Sequence, residues 1–237
     1  MASLAYQRIL LKIAGDNFVK SSPYGIDLQQ FDEICTKLVP LIDLGVELIV
    51  VLGGGNIFRG LSAHAQGMDH ATADYMGMLA TTINGLMLQE RIEKLNIDTR
   101  LASSLEMDEV AEPYIRRRAI RHLEKKRIML CVAGTGNPYF TTDTAAALRA
   151  LELGADLLIK ATRAEWDFDE DTSQRYMKNN YLRFTYLEAL ENRWNIMDAT
   201  AVTLCRDNNL PIAVVNLVNE NVLRNIIYGG LNGIWIH

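Results

Sequence analysis

The run Val46 to Leu52 is apolar and β-branched, and it stops at three consecutive glycines, Gly53-Gly54-Gly55, followed by Asn56-Ile57-Phe58-Arg59-Gly60. Glycine lacks a Cβ and reaches dihedrals that other residues avoid, so the stretch reads as a buried strand delivering its backbone to a ligand. Upstream, Tyr6 to Ile13 is another β-rich run, ending at Lys12-Ile13-Ala14-Gly15. Between the two, Phe31, Ile34, Cys35, Leu38, Leu41 and Ile42 recur at helical spacing as far as Gly45. Asp27 and Gln30 form a capping-box pattern at the start of this segment, and Pro40 marks its last turns. Strand, helix of about 15 residues, strand is a parallel βαβ unit, whose ligands bind beyond the carboxyl ends of the strands. Lys12 and the segment Gly53 to Arg59 sit at two such ends. Bare N–H groups beside a guanidinium suit a phosphate or carboxylate. A tight turn with a surface arginine competes for the glycines, and a lysine snorkelling from a strand end competes for Lys12.

The alternation continues along the chain. Met68 to Lys94 is helical and mostly apolar, interrupted by Gly77 and Gly85, and reads as core or as a subunit contact. Asp74 stands out in it, either as a solvated carboxylate or as an acceptor for sugar hydroxyls. Thr99 to Ser103 is a short strand and Glu109 to Lys126 a basic amphipathic helix whose cations form a solvated face. Arg127 to Ala133 is a further buried strand, running into Gly134-Thr135-Gly136-Asn137-Pro138-Tyr139-Phe140-Thr141-Thr142-Asp143 and then a helix. A hydroxyl-rich glycine turn ahead of a helix N-terminus is an anion or nucleotide cradle. Asp143 caps that helix, or holds a lysine or a metal. Ala155 to Lys160 is the next strand, followed by the acidic run Ala164 to Asp171 and a polar linker to Leu182. Helices follow at Tyr186 to Asn192 and Asp198 to Asn208, then a strand at Pro211 to Asn216, a short helix at Asn219 to Tyr228 and a tail strand at Gly233 to His237. The order predicts an α/β fold, a three-layer αβα sandwich around a mainly parallel sheet.

Composition narrows the function classes. The 237 residues, 49% of them hydrophobic and 22% charged, suffice for a sizeable core. No apolar run approaches a membrane span, and the N-terminus lacks the layout of a signal peptide, so a cytoplasmic protein without a membrane partner is expected. Cys35, Cys131 and Cys205 are far apart in apolar segments, which suits reduced, packed thiols. A net charge of −5 argues against a nucleic-acid partner. His64, His70, His122 and His237 show no metal spacing and read as surface or helix residues.

Taken together, Lys12-Ile13-Ala14-Gly15, Gly53 to Gly60, Asp74-Tyr75-Met76-Gly77-Met78-Leu79-Ala80 and Gly134 to Asp143 closely resemble the bacterial uridylate (UMP) kinases of the amino acid kinase superfamily. The resemblance implies a single domain over 1–237, with an N-terminal acceptor lobe and a C-terminal ATP lobe. It implies transfer of the γ-phosphoryl of ATP to UMP, giving UDP and ADP for pyrimidine biosynthesis. Mg²⁺ accompanying ATP, a homo-oligomer, typically a hexamer, and inhibition by UTP are implied as well.

Position by position, the resemblance puts Lys12, Ile13, Ala14, Gly15, Gly55 and Arg59 at the ATP phosphates, and Lys160, Thr162, Phe168 and Asp171 at the ATP nucleoside. Gly54 and Asp74 meet UMP, as do Thr135, Gly136, Asn137, Pro138, Tyr139, Phe140, Thr141 and Thr142. Lys12, Arg59, Asp143 and Asp198 form the catalytic set, and no protein metal ligands are implied. Ala14 replaces the family's usual serine, leaving its backbone N–H, and Arg163 to Phe168 and Thr172 depart from the family pattern. Gln89 and Glu93 fall where GTP-responsive members carry Arg and His, which implies weak or absent activation by GTP. Two other readings remain open: a kinase of the same superfamily with a carboxylate or carbamate acceptor, and a nucleotide-binding or storage protein without turnover.

Overall fold

The computed structural model describes residues 3–20, 24–163, 176–178, 181–192, 194, 196–219 and 221–237. Its central strand, β1 (Arg8–Ile13), shows how the layers arise. Ile9, Leu11 and Ile13 point to one face, while Leu10 joins the core on the other. By the two-residue period of a strand, Lys12 shares the face of Leu10. The first face is covered by α1 (Leu28–Asp43), α3 (His70–Glu93) and α8 (Val222–Ile227). The second is covered by α4 (Arg116–Glu124), α5 (Thr142–Leu153), α6 (Tyr186–Glu191) and α7 (Ala199–Asp207).

The other strands are β2 (Glu47–Leu52), β3 (Thr99–Ser103), β4 (Glu112–Pro113), β5 (Ile128–Val132) and β6 (Leu157–Ala161), then β7 (Met177–Lys178), β8 (Tyr181–Phe184), β9 (Ile212–Val215) and β10 (Gly233–Ile236). Among the described residues they form one sheet in the order β4-β3-β5-β2-β1-β6-β9-β10-β8-β7. Pairing is parallel except between β9 and β10 and between β7 and β8. The apolar runs are nearly continuous because these strands are covered on both faces. The carboxyl ends of β1, β2, β5 and β6 therefore lie side by side, and the loops leaving them build the site.

Four local expectations change. Ahead of α3 lies a separate short helix, α2 (Gly60–Ala65), and α3 restarts at Asp69, whose carboxylate accepts from Thr72 N at 2.9 Å. The expected helix Glu109 to Lys126 begins only at Arg116. Glu112 and Pro113 instead pair with β3 at the sheet edge, where a proline without an N–H is tolerated. The expected linker to Leu182 carries β7 and the start of β8, and β8 pairs with the tail strand β10. Finally, Asp27 caps α1 through Gln29 N at 3.1 Å, but Gln30 turns inward and is buried, leaving the capping box half-formed.

Gly85 and Gly77 differ in purpose. A Cβ on Gly85 would lie 2.5 Å from Val132 and 2.8 Å from Leu101, so its absence lets α3 press onto β3 and β5. A Cβ on Gly77 would meet nothing within 4 Å. Cys35, Cys131 and Cys205 are free and buried, and burial pushes each thiol up to about 12. Among the described residues, no helix is long and apolar enough to cross a membrane.

Candidate active site

Lys12 on β1 and Lys160 on β6 are register partners across a parallel pair. Their side chains leave the sheet on the same face about 4.8 Å apart, which sets two ammonium groups against each other. Asp143, in the first turn of α5, answers both. Its Oδ1 lies 2.9 Å from Lys12 Nζ and its Oδ2 2.7 Å from Lys160 Nζ. Lys160 also donates to Ile196 O at 2.6 Å. The centre is nearly dry, with Lys12 6% and Asp143 7% exposed. Burial alone would raise the pKa of Asp143, but Lys12 and Lys160 outweigh it and hold the carboxyl below its ordinary value. Burial also lowers the pKa of Lys160, a shift that Asp143 opposes. The carboxylate thus bridges two ammonium groups at one point.

Local sequence explains why Asp143 stands there. Thr141 caps α5 by accepting from Asp143 N at 3.1 Å and Thr144 N at 3.2 Å. Asp143 is therefore free to turn toward the sheet. Asp198 caps α7 through Ala201 N at 2.8 Å. It also accepts from the hydroxyls of Thr141 and Thr144, the latter at 3.0 Å, tying the starts of α5 and α7 together.

The two glycine loops meet back to back. A Cβ on Gly15 would fall 2.6 Å from Gly55 N, and one on Gly53 would fall 2.8 Å from Gly15 N. Gly54 is pressed equally hard against α3, with Ala80 Cβ and Gly77 O each at 2.8 Å from its missing Cβ. Gly55 differs: a Cβ there would meet only the Arg59 side chain, at 3.8 Å, so this glycine faces the cleft. Arg59 Nε donates to Gly55 O at 3.0 Å and its guanidinium lies over the Tyr24 ring, 5.6 Å from the centroid. The Ala14 N–H donates to Ala161 O at 3.0 Å, so it is engaged by the protein rather than left for an anion.

Asp74 and the loop after β5 also come together. The carboxylate accepts from Tyr139 N at 2.7 Å and lies 3.4 Å from His70 Nε2. Ala133, Gly134, Gly136 and Tyr139 all take positive φ, so this turn is held in a backbone shape that other residues resist. Thr135 Oγ1 accepts from Asn137 N at 3.1 Å. Tyr139 and Phe140 are 70% and 50% exposed. Pro138 and Thr142 complete the rim at intermediate exposure.

Several supporting residues went unread in the sequence. Asn56 and Asn84, both fully buried, exchange amide hydrogen bonds at 3.1 and 2.7 Å. Asn84 adds a bond to Gly53 O at 2.8 Å, fixing the glycine loop to α3. Behind the β5 loop, buried Arg149 stacks on Tyr114 at 3.8 Å and donates to Glu152 at 2.6 Å and to Ser104 Oγ at 2.9 Å. Ser104 passes its own hydrogen to Gly134 O at 2.8 Å. The His64 ring stacks on His70 with centroids 4.7 Å apart and the Tyr139 ring packs tilted against His70 at 4.6 Å, which brings His70 to the site rather than leaving it a plain helix residue. No periodic pattern marks such contacts, because most join segments far apart in sequence.

On the β6 side, Asp16 accepts from Thr162 Oγ1 and from Arg163 N, each at 3.2 Å. Asn17 ties Ala14 O to Ala161 O through its amide, at 3.2 and 3.1 Å. Phe168 and Asp171 lie outside the described residues. Among those that are described, no group of three or more His, Cys, Asp or Glu side chains is gathered for a metal. Asp143 and Asp198 are each committed to protein donors, so the donor set does not fit a resident metal ion and fits one carried in by a phosphate chain.

Residues 7–216 match the sequence profile of the amino acid kinase family. The chain belongs to the amino acid kinase family. Its structure is similar to that of a UMP kinase from Bacillus anthracis, with 33% identity and a TM-score of 0.90 over 98% of this chain and 96% of that one. A UMP kinase from Ureaplasma parvum is similar at 31% identity and a TM-score of 0.86, again over 98% and 96% of the two chains. The uridylate kinase from Archaeoglobus fulgidus shares the fold, with 21% identity and a TM-score of 0.67 over 98% of this chain and 100% of that one.

Proposed function

We propose that this chain is a UMP kinase, transferring the γ-phosphoryl of ATP to the phosphate of UMP. The observation that carries the reading is the Lys12–Asp143–Lys160 arrangement at the junction of two glycine loops. Two polyanions must approach each other for this reaction, and repulsion between them is the obstacle that buried, oriented cations remove. The similarity to two UMP kinases above 30% identity supports uridylate as the acceptor.

In this reading the acceptor phosphate rests against the N–H groups of Gly54 and Gly55, with Arg59 as its second arm. A phosphate oxygen of UMP attacks the γ-phosphorus, the bond to the β,γ-bridging oxygen breaks, and ADP leaves with those electrons. The attacking oxygen is already anionic, so no strong base is required. Lys12 and Lys160 follow the charge as it moves from the γ-phosphoryl to the leaving oxygen. Asp143 holds both lysines in place rather than removing a proton. Mg²⁺ arrives with the ATP phosphates as part of the substrate.

Asp74 receives the ribose hydroxyls once Tyr139 N releases it, and residues Thr135 to Thr142 enclose the nucleoside. Lys160 and Thr162 belong to the ATP lobe, and Gly53 to Thr142 to the acceptor lobe. A cytoplasmic setting and inhibition by UTP complete the proposal. Self-association is included, through the outer face of α3: Tyr75, Leu79, Ile83 and Leu86 are 43%, 50%, 44% and 40% exposed at helical spacing, an apolar stripe on a helix whose other face is already packed.

The test is ADP release from MgATP with UMP, CMP or no acceptor. ADP formed with UMP far faster than with CMP or water supports the reading. Turnover only with a carboxylate or carbamate acceptor, or with no acceptor tried, refutes it.

A further inference from the structure

On the face of the sheet opposite α5, a cavity of about 340 Å³ opens between α1 and the turn after β9. Lys20, Gln30, Glu33, Lys37, Arg163 and Leu217 are among the residues that line it. At its floor Gln30 is 1% exposed. Its Oε1 accepts from Arg163 Nη2. A guanidinium only donates, so this contact settles which end of the amide is oxygen and leaves the Gln30 NH₂ as the free end. Among the described residues that NH₂ has no hydrogen-bond partner, and neither has the buried Nε of Arg163, whose Nη1 is spent on Val19 O.

Two buried donors without an acceptor, on side chains in direct contact, are uncommon, and each costs about 1–3 kcal/mol if left so. Both would be satisfied by one ligand presenting two acceptor oxygens side by side, the face an oxyanion offers to a guanidinium. Charge agrees. Lys20, Lys37 and Arg163 outnumber Glu33 among the described lining residues. Lys37 Nζ reaches Leu217 O, which keeps its charge over the mouth.

We propose that this cavity is an accessory oxyanion site, taking a phosphate or a small phosphate ester on Gln30 Nε2 and Arg163 Nε with Lys20 and Lys37 at the rim. It is separate from the Lys12–Asp143–Lys160 centre, which lies on the other face. It is also coupled to that centre. Arg163 N and Thr162 Oγ1 hold Asp16, and Asn17 bridges the ends of β1 and β6. An anion that fixes the Arg163 side chain therefore stiffens the turn carrying Ala14 and Gly15, on the side where the donor nucleotide is proposed to sit.

The experiment uses crystals of the full chain with UMP and a non-hydrolysable ATP analogue in the catalytic site, soaked in tungstate as a heavy oxyanion. The expected result is an anomalous peak within hydrogen-bond reach of both Gln30 Nε2 and Arg163 Nε. It should be lost in Gln30→Leu and in the rim double variant Lys20→Ala/Lys37→Ala, which leaves the core untouched. In solution, pyrophosphate binding to the same nucleotide-filled protein should weaken tenfold or more in either variant. No peak in this cavity overturns the proposal. So does an ion held by Lys20 and Lys37 alone, an adventitious ion only, or pyrophosphate binding that survives both variants.

Discussion

Replacing Asp143 with asparagine keeps its shape and removes its charge, and the structure gives the size of the effect. Lys12 and Lys160 would remain as neighbours about 4.8 Å apart on parallel strands, both largely buried. At an effective dielectric constant of about 20, two unit charges at that separation repel by about 3 kcal/mol. The figure agrees with the roughly 3–5 kcal/mol lost when one partner of a buried ion pair is removed. For a chain of this size, about 3 kcal/mol corresponds to a fall in Tm of roughly 6–12 °C. The variant also acquires a particular pH dependence. Burial already lowers the pKa of Lys160, and without Asp143 only the weaker pull of Asp198 offsets it. Between its depressed folded pKa and the unfolded value of 10.5, the unfolded chain binds more protons, so the stability of the variant rises with pH across that window. The native protein behaves otherwise at the acid end. The folded pKa of Asp143 is lowered, so its contribution is complete above the unfolded carboxyl pKa and is lost as pH falls through the folded value. Thermal melts of both proteins from pH 6 to 10, with and without MgATP, are the assay. MgATP should stabilise the variant more than the native protein, because phosphate charge replaces the missing carboxylate. A variant that melts within about 2 °C of native at pH 7, with no upward trend toward pH 10, refutes this account of the lysine pair.

Lys12→Ala and Arg59→Ala should each lower turnover by about a hundredfold or more while shifting Tm little for the exposed Arg59, since their work lies in the transition state; retained UDP formation in both purified variants refutes their assignment. Ser104→Ala breaks the relay from Arg149 to Gly134 O and should raise the KM for UMP several-fold with the KM for ATP unchanged, whereas Ser104→Thr should restore it; equal changes in both constants would refute a role specific to the acceptor loop. Leu79→Glu with Ile83→Glu should reduce the assembly to monomers by light scattering, and an unchanged mass refutes the α3 interface.

Much of this was legible along the chain, and the reasons are physical. The βαβ alternation survives in sequence because strands covered on both faces must be apolar throughout, as Leu48 to Leu52 and Ile128 to Val132 are. The ends of those strands were equally visible, since a glycine cluster interrupts a hydrophobic run sharply. What escaped was non-periodic or depended on partners distant in sequence. Glu112 and Pro113 carry too few residues to show a strand period, and β8 is recognisable only against β10. Asp143 could be read as a cap, a lysine partner or a metal ligand. Only the register of β1 with β6 shows that two lysines converge on it. The Asn56–Asn84 pair and the Arg149–Ser104 relay join positions whose adjacency no local pattern encodes.

The contact between Gly15 and the Gly53–Gly55 turn sets a distance as well as a shape. Because main chain touches main chain there, with no side chain between, the separation of the two loops is set by atomic radii. A methyl group on either loop would act as a shim, lengthening the path of a transferred phosphoryl while leaving each binding surface intact. Such a variant would still hold both nucleotides and would be slow for want of a fraction of an ångström.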